Sequence, residues 1–202
     1  MFKRTLILIL VAGLAGTLGA CSARQVKRVD VNKPTDLSGY WNDTDAQMVA
    51  EEMIKESLSN PWAEVFTAKN GRKPVVIVGP VHNRSQEHIN TEVFTKSLER
   101  ALINSGKVVF VAAPEERQDI RAEREDQQKG YTDPATMAAM GKELGADYML
   151  LGSLNSVKDE VKRQYTIFYQ ANLELIDIET NRKVWIGQKE IKKTVTIPRF
   201  GL

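Results

Sequence analysis

Reactive side chains are scarce in this sequence: of 202 residues, one is cysteine and two are histidine. A single thiol excludes an internal disulfide and a cysteine-rich metal centre. The histidines, His82 and His88, flank Glu87, but an H-x5-H spacing matches no common zinc pattern, so both read as solvated loop residues. The chain has no G-x-S-x-G elbow, no P-loop and no dinucleotide fingerprint. No catalytic residue, metal site or cofactor is therefore expected. Charge of one sign is also lacking. Residues 1–20 hold two of the 28 basic residues and none of the 26 acidic ones, so the remainder carries 26 of each. A neutral chain is a poor match for nucleic acid, which needs a basic surface. Beyond residue 20 no apolar run approaches the roughly 20 residues of a spanning helix.

What is present is concentrated first at the N-terminal end. Lys3 and Arg4 precede an apolar stretch over residues 6–18, and Leu18-Gly19-Ala20-Cys21 follows. Basic start, apolar run and small residues make a signal segment over residues 1–20, ending in a lipobox. The one cysteine of the chain, Cys21, stands where lipidation requires it. Diacylglycerol on its thiol and an acyl chain on its freed amine would make anchoring stable, because a single chain holds only marginally. Ser22, rather than an aspartate, points by the usual sorting pattern to the periplasmic face of the outer membrane. Residues 21–40 then read as the lipidated cysteine and a tether. Its residues 22–39 would span roughly 60 Å at full extension.

A single globular domain is expected over residues 41–193, with a tail at 194–202. Thr44 and Gln47 fit a capping box before a helical stripe of Val49, Ala50, Met53, Ile54 and Leu58. Asp43 and Asp45 read as capping and helix-dipole partners rather than a metal pair. Val75 to Val78 is apolar on both faces, as a central strand would be, and Gly79-Pro80 ends its regular pattern. A polar loop follows, then a helix presenting Phe94, Leu98, Ala101 and Leu102, then a short strand near Val108. That order predicts a parallel crossover unit. From Pro114 a nearly all-polar helix is predicted. Asp133-Pro134 predicts another, carrying Met137, Met140 and Leu144. Tyr148 to Leu151 opens a third strand. From Tyr165 to Leu175 the odd positions are apolar and the even ones mostly polar, which makes a long strand with one buried face. A last strand contains Trp185, and Gly187 is read as a bulge. Phe168 breaks the polar face, and Phe168 with Trp185 could form a patch if that face is open.

The runs Pro74-Val-Val-Ile-Val-Gly-Pro-Val-His-Asn-Arg-Ser85 and Asn104-Ser-Gly-Lys-Val-Val-Phe-Val111 resemble the LpoB family of penicillin-binding-protein activators. So do Gly145-Ala-Asp-Tyr-Met-Leu-Leu-Gly-Ser153 and Leu173-Glu-Leu-Ile-Asp-Ile-Glu-Thr-Asn-Arg-Lys-Val-Trp-Ile-Gly187. The resemblance implies an α/β (α+β) fold, a mixed β-sheet of about five strands flanked by helices, similar to the TolB N-terminal domain. It implies a lipid-anchored outer-membrane protein that docks on a class A penicillin-binding protein and stimulates peptidoglycan synthesis, a binding protein and not an enzyme. Enterobacterial members carry a long Pro-rich tether; the one here is short.

Asn83-Arg84-Ser85 is the candidate partner contact, because it matches the family's loop. Arg84 can present a donor fork, while Asn83 and Ser85 can equally serve the loop's own backbone. Two other readings stand beside this one. A subunit of a curli-type secretion assembly would need membrane-spanning hairpins. A periplasmic hydrolase would rely on His82 or His88.

Overall fold

Asn42 starts the first helix, and it does so two residues before the cap expected at Thr44. Its Oδ1 accepts the Asp45 N–H at 3.0 Å, and Asp45 Oδ2 accepts the Asn42 N–H at 3.0 Å. Asparagine caps at least as well as threonine, and this register gives Asp45 two jobs, since it also meets Lys193. Gln47 bonds Glu51 instead. The protein is described by a computed structural model over residues 26–30, 33–138 and 142–198. The signal segment and Cys21 lie outside the described residues.

The first helix, α1 (Asp43–Ser59), buries the predicted stripe, and Pro61 closes it by holding Asn60 extended. A short α2 (Trp62–Asn70) follows and stops at Gly71, whose φ of 68° needs a residue without a Cβ. Trp62 Nε1 donates to the Ser57 carbonyl at 2.8 Å, so the buried indole leaves no donor unpaired. β1 (Val75–Arg84) leads to α3 (Thr91–Ser105), β2 (Val109–Phe110) and α4 (Pro114–Gln127). Three strands of 14 residues complete the sheet: β3 (Tyr148–Val161), β4 (Gln164–Asp177) and β5 (Lys183–Thr196). The order is β2-β1-β3-β4-β5, parallel over the first three and antiparallel over the last three. This is a mixed five-stranded α+β sheet.

Side chains alternate across a strand, so each strand is read face by face. On β4 the buried set is Ile167, Tyr169, Ala171, Leu173 and Leu175, as the alternation predicts. Val76, Val78, Leu150, Leu154 and Trp185 join the same core, which α1 and α3 cover side by side. Trp185 is thus a core residue, 6% exposed. Phe168 lies on the other face of β4, so the two do not form one patch.

Four elements depart from expectation. β1 does not end at Gly79; it slips register between Val78 and Val81 and runs on to Arg84. A Cβ at Gly79 would lie 2.6 Å from Leu151 Cδ2, so the bare backbone makes room for β3, while Pro80 has no N–H to offer. The irregularity in β5 falls at Val184, not Gly187: Leu175 faces Trp185 and Ile176 faces Lys183. The helix expected from Asp133 is absent among the described residues, where 134–136 form a turn and 142–146 are irregular. Side chains of α4 hold this segment instead: Arg121 grips Glu143 at 2.6 and 2.8 Å, and Gln127 Oε1 accepts the Ala138 N–H. Met140 lies outside the described residues. Finally, the compact unit starts at Thr35, because Asp36, Ser38, Gly39 and Tyr40 lie against β4 and β5. Residues 26–30 and 33–34 are exposed and carry no helix or strand.

Asp147 ties the start of β3 to β1. It takes both Arg72 terminal nitrogens at 2.7 Å and the Val75 N–H at 2.8 Å. The Arg72 bond, outweighing burial, holds this carboxyl below the usual aspartate range, with help from Val75. A carboxyl lowered on folding stabilises above its unfolded value of about 3.9, and the gain disappears as pH falls through the folded value. Asp147→Asn is therefore expected to cost about 1–3 kcal/mol at pH 7. In urea unfolding the gap to the wild type should close as pH drops below about 4.

Candidate functional site

The C-terminal end of β1 delivers the residues singled out in the sequence to one corner of the molecule. Asn83 and Ser85 build the turn there. Asn83 Nδ2 donates to the Glu87 carbonyl at 2.8 Å, and its Oδ1 accepts the Ser85 N–H at 2.9 Å and the Ser85 hydroxyl at 2.7 Å. Ser85 Oγ accepts the Glu87 N–H at 3.2 Å, and Ser156 Oγ on β3 accepts the Gln86 N–H. The loop's backbone needs are met by its own side chains, which fixes its shape. Arg84 is different: it pairs through its backbone with Asn155, its side chain is exposed, and it forms no ion pair among the described residues. The loop thus presents one guanidinium whose donors have no partner among the described residues.

The histidines do not converge. His82 and His88 are both exposed, and no metal-binding group of three exists among the described residues. Glu87 turns inward instead. Its Oε1 accepts a short hydrogen bond from the Tyr169 hydroxyl, and its Oε2 accepts the Trp41 N–H at 3.3 Å. The Tyr169 oxygen accepts the same N–H at 2.9 Å. Burial, then Glu87 itself, pushes the tyrosine hydroxyl well above its ordinary range, so it stays protonated and donates. This node joins the loop, the lead-in to α1 and the centre of β4. Sequence reading passed over it; the signal was a tyrosine on a buried strand face, whose hydroxyl must find a partner.

A cleft of about 670 Å³ opens beside the node, walled by Tyr40, Trp41, Gln86, His88, Asn90 and Lys158 among others. Trp41 packs edge-on against Tyr169 and Phe94 at 5.6 and 6.2 Å. Lys158 sits 4.6 Å over the Tyr165 ring. Tyr40 and Trp41 give this cleft an aromatic wall, and Gln86, Asn90 and Lys158 give it polar groups. No helix among the described residues is long and apolar enough to cross a membrane.

Comparison with solved structures finds the LpoB C-terminal domain from Escherichia coli at 18% identity and a TM-score of 0.42, covering 73% of this chain and 98% of that one. The NMR structure of E. coli LpoB aligns at 16% identity and 0.40, over 90% and 87%. Lipoprotein GNA1162 from Neisseria meningitidis aligns at 17% and 0.37, over 60% and 83%. A search of curated proteins gave no match. The sequence profile described as "Peptidoglycan-synthase activator LpoB" matches residues 45–191, from the capping box of α1 into β5. That span takes in β1 to β4, most of β5, nearly all of both core helices and the loop that carries Arg84, so the chain belongs to the LpoB family of peptidoglycan-synthase activators.

Proposed function

We propose that this protein is a lipid-anchored activator of a class A penicillin-binding protein, held by Cys21 at the periplasmic face of the outer membrane. The family match over residues 45–191 carries the reading. The lipobox ending at Cys21 supplies the address, and the exposed Arg84 on its rigid loop supplies a contact. Activation by binding requires that the synthase be held more tightly in its active state than in its resting one. A preformed loop suits that task, because little of the binding energy goes into ordering it. Residues 35–40 belong to the compact unit, which leaves residues 22–34, about 45 Å at full extension, between that unit and Cys21.

Purified protein is expected to bind a class A synthase from its own organism and to speed its glycan polymerisation. Arg84→Glu should weaken that binding by roughly tenfold to a hundredfold with the fold intact, as loss of an interfacial charge contact does. No binding to any class A synthase sinks the reading. Unchanged binding by the Arg84→Glu protein removes the loop from the contact and leaves the activator role standing.

A further inference from the structure

The cleft beside Glu87 and Tyr169 is set apart by what its side chains leave unused. Asn83, Ser85 and Glu87 commit their hydrogen bonds to the loop, to Trp41 and to Tyr169. Residues that line the cleft do the opposite. Among the described residues, the Tyr40 hydroxyl, Trp41 Nε1, the Asp43 carboxylate, the Gln86 amide and the His88 ring form no hydrogen bond or ion pair. Asn90 uses its Oδ1 to cap Glu92 and leaves its Nδ2 free of partners there. Donors and acceptors are mixed, and formal charge is nearly absent. Lys158 pairs with Glu160 at 2.7 Å and Glu87 is held by Tyr169, so Asp43 is the one lining carboxylate or ammonium without a partner among the described residues.

The aromatic wall is set in place by its own packing. The Tyr40 ring stacks on Tyr165 at 6.2 Å and is still 42% exposed. Trp41 packs edge-on against Tyr169 and Phe94, and its N–H is taken by Tyr169 and Glu87. A ligand therefore orders little of the protein when it arrives. The volume of about 670 Å³ falls within the range of small-molecule sites, roughly 300–1,000 Å³.

The unused groups decide what kind of ligand fits. An anion would face the Asp43 carboxylate. A cation would find that one carboxylate among neutral amides. An apolar side chain would dry these polar groups without pairing them, at a cost for each. A saccharide matches the whole set. Each of its hydroxyls both donates and accepts, as a mixture of phenol, indole, carboxylate, amide and imidazole requires. The C–H faces of its rings pack on aromatic faces, which are the negative side of the π-system. An acetamido group brings one N–H and one C=O, which a side-chain amide such as Gln86 can pair with together.

We propose that this cleft binds an N-acetylated saccharide, a short stretch of a peptidoglycan glycan strand. The domain then holds the polymer whose synthesis its family activates, from a surface next to the loop that carries Arg84. This deepens the activator reading above and rests on it only for the source of the sugar.

Trp41 reports the binding, because Trp62 and Trp185 are buried at 6% exposure and Trp41 is not. The full lipoprotein is titrated in a detergent that has no sugar head group. Chitotetraose, a chain of N-acetylglucosamine, should change the Trp41 fluorescence saturably, and so should glycan strands freed of their peptides. Maltotetraose, which has no acetamido group, should bind roughly tenfold more weakly or not at all. Trp41→Ala would also strip packing from Tyr169 and Phe94, so the variants are Gln86→Ala and Tyr40→Ala. Each should weaken binding by roughly tenfold, as loss of one polar or aromatic contact does. The Gln86 side chain holds nothing in the fold together, so Gln86→Ala is the variant free of folding effects. No response to chitotetraose overturns the proposal, as does equal affinity for maltotetraose or unchanged affinity in both variants. A response to chitotetraose but not to glycan strands overturns the assignment to the wall polymer. A cleft that ignores sugars while Gln86→Ala loses synthase binding is a protein groove, and the proposal falls. The titration contains no synthase, so a protein that binds glycan but no class A synthase keeps the proposal and loses the activator reading.

Discussion

A Cys21→Ser protein is expected to fold and to stimulate the synthase in solution as well as the wild type, yet to fail completely in cells. The thiol of Cys21 is the only one in the chain, so no other residue can take the diacylglycerol. Without it the protein either keeps its signal segment or drifts free in the periplasm. On the lipid-anchored reading proposed above, confinement is what the anchor provides. A domain on a short flexible linker meets partners within reach at an effective concentration in the millimolar range. Released into the whole compartment, the same domain is diluted by orders of magnitude, and an activator of modest affinity no longer occupies its target. On that reading two or three acyl chains are needed, because one alone binds a bilayer only reversibly. Labelled palmitate, membrane fractionation and growth of a strain that depends on the protein together check the expectation. Full activity of the serine variant in cells would remove lipid anchoring from the mechanism. Activity lost both in cells and in solution would point to a folding defect instead, and unfolding curves of the purified variant would show it.

How far the sequence could be read depended on burial. β4 was legible residue by residue, because one face meets the core and the other does not, and the alternation of Ile167 to Leu175 records that difference. The stripes of α1 and α3 were legible for the same reason. The distal halves of β3 and β5 were not legible. Residues 157–161 are exposed, and residues 188–196 are exposed or only half-buried. Those stretches are strands because β4 pairs with them on both sides, a tertiary cause that leaves little mark on composition. The segment after Asp133 failed differently: its apolar spacing suggested a helix, but Glu143 is drawn to arginines three turns of α4 provide, and Leu144 is left exposed. At the candidate site, Asn83 and Ser85 were visible as turn formers. Glu87 and Tyr169 are 82 residues apart in the chain, and only the fold brings them together. Residues 35–40 were read as plain tether because their single buried residue is a glycine.

Gly187 separates two physical accounts of the same residue, and Gly187→Val decides between them. Read as a bulge residue, it would be needed for backbone freedom. Its φ is not positive, however, and the irregularity of β5 lies at Val184. By strand propensity alone, valine here should stabilise by up to about 1 kcal/mol. Packing says the opposite. The Trp185 indole folds along its own strand, and a Cβ at position 187 would lie 2.2 Å from Cζ2 and 2.3 Å from Cη2 of that ring. Two residues apart on a strand share a face, so the valine cannot turn away. The ring is buried among Leu175 and its neighbours, and it has to leave that place or push the core apart. Displacing a buried aromatic costs about 3–5 kcal/mol, which outweighs the propensity gain several-fold. The melting temperature should fall by roughly 6–15 °C for a domain of this size. In a Trp185→Leu background the smaller side chain leaves the space open, and the same Gly187→Val change should cost much less. That difference is a coupling between the two positions that a backbone role for glycine would not produce. Equal costs in both backgrounds would return Gly187 to the backbone account.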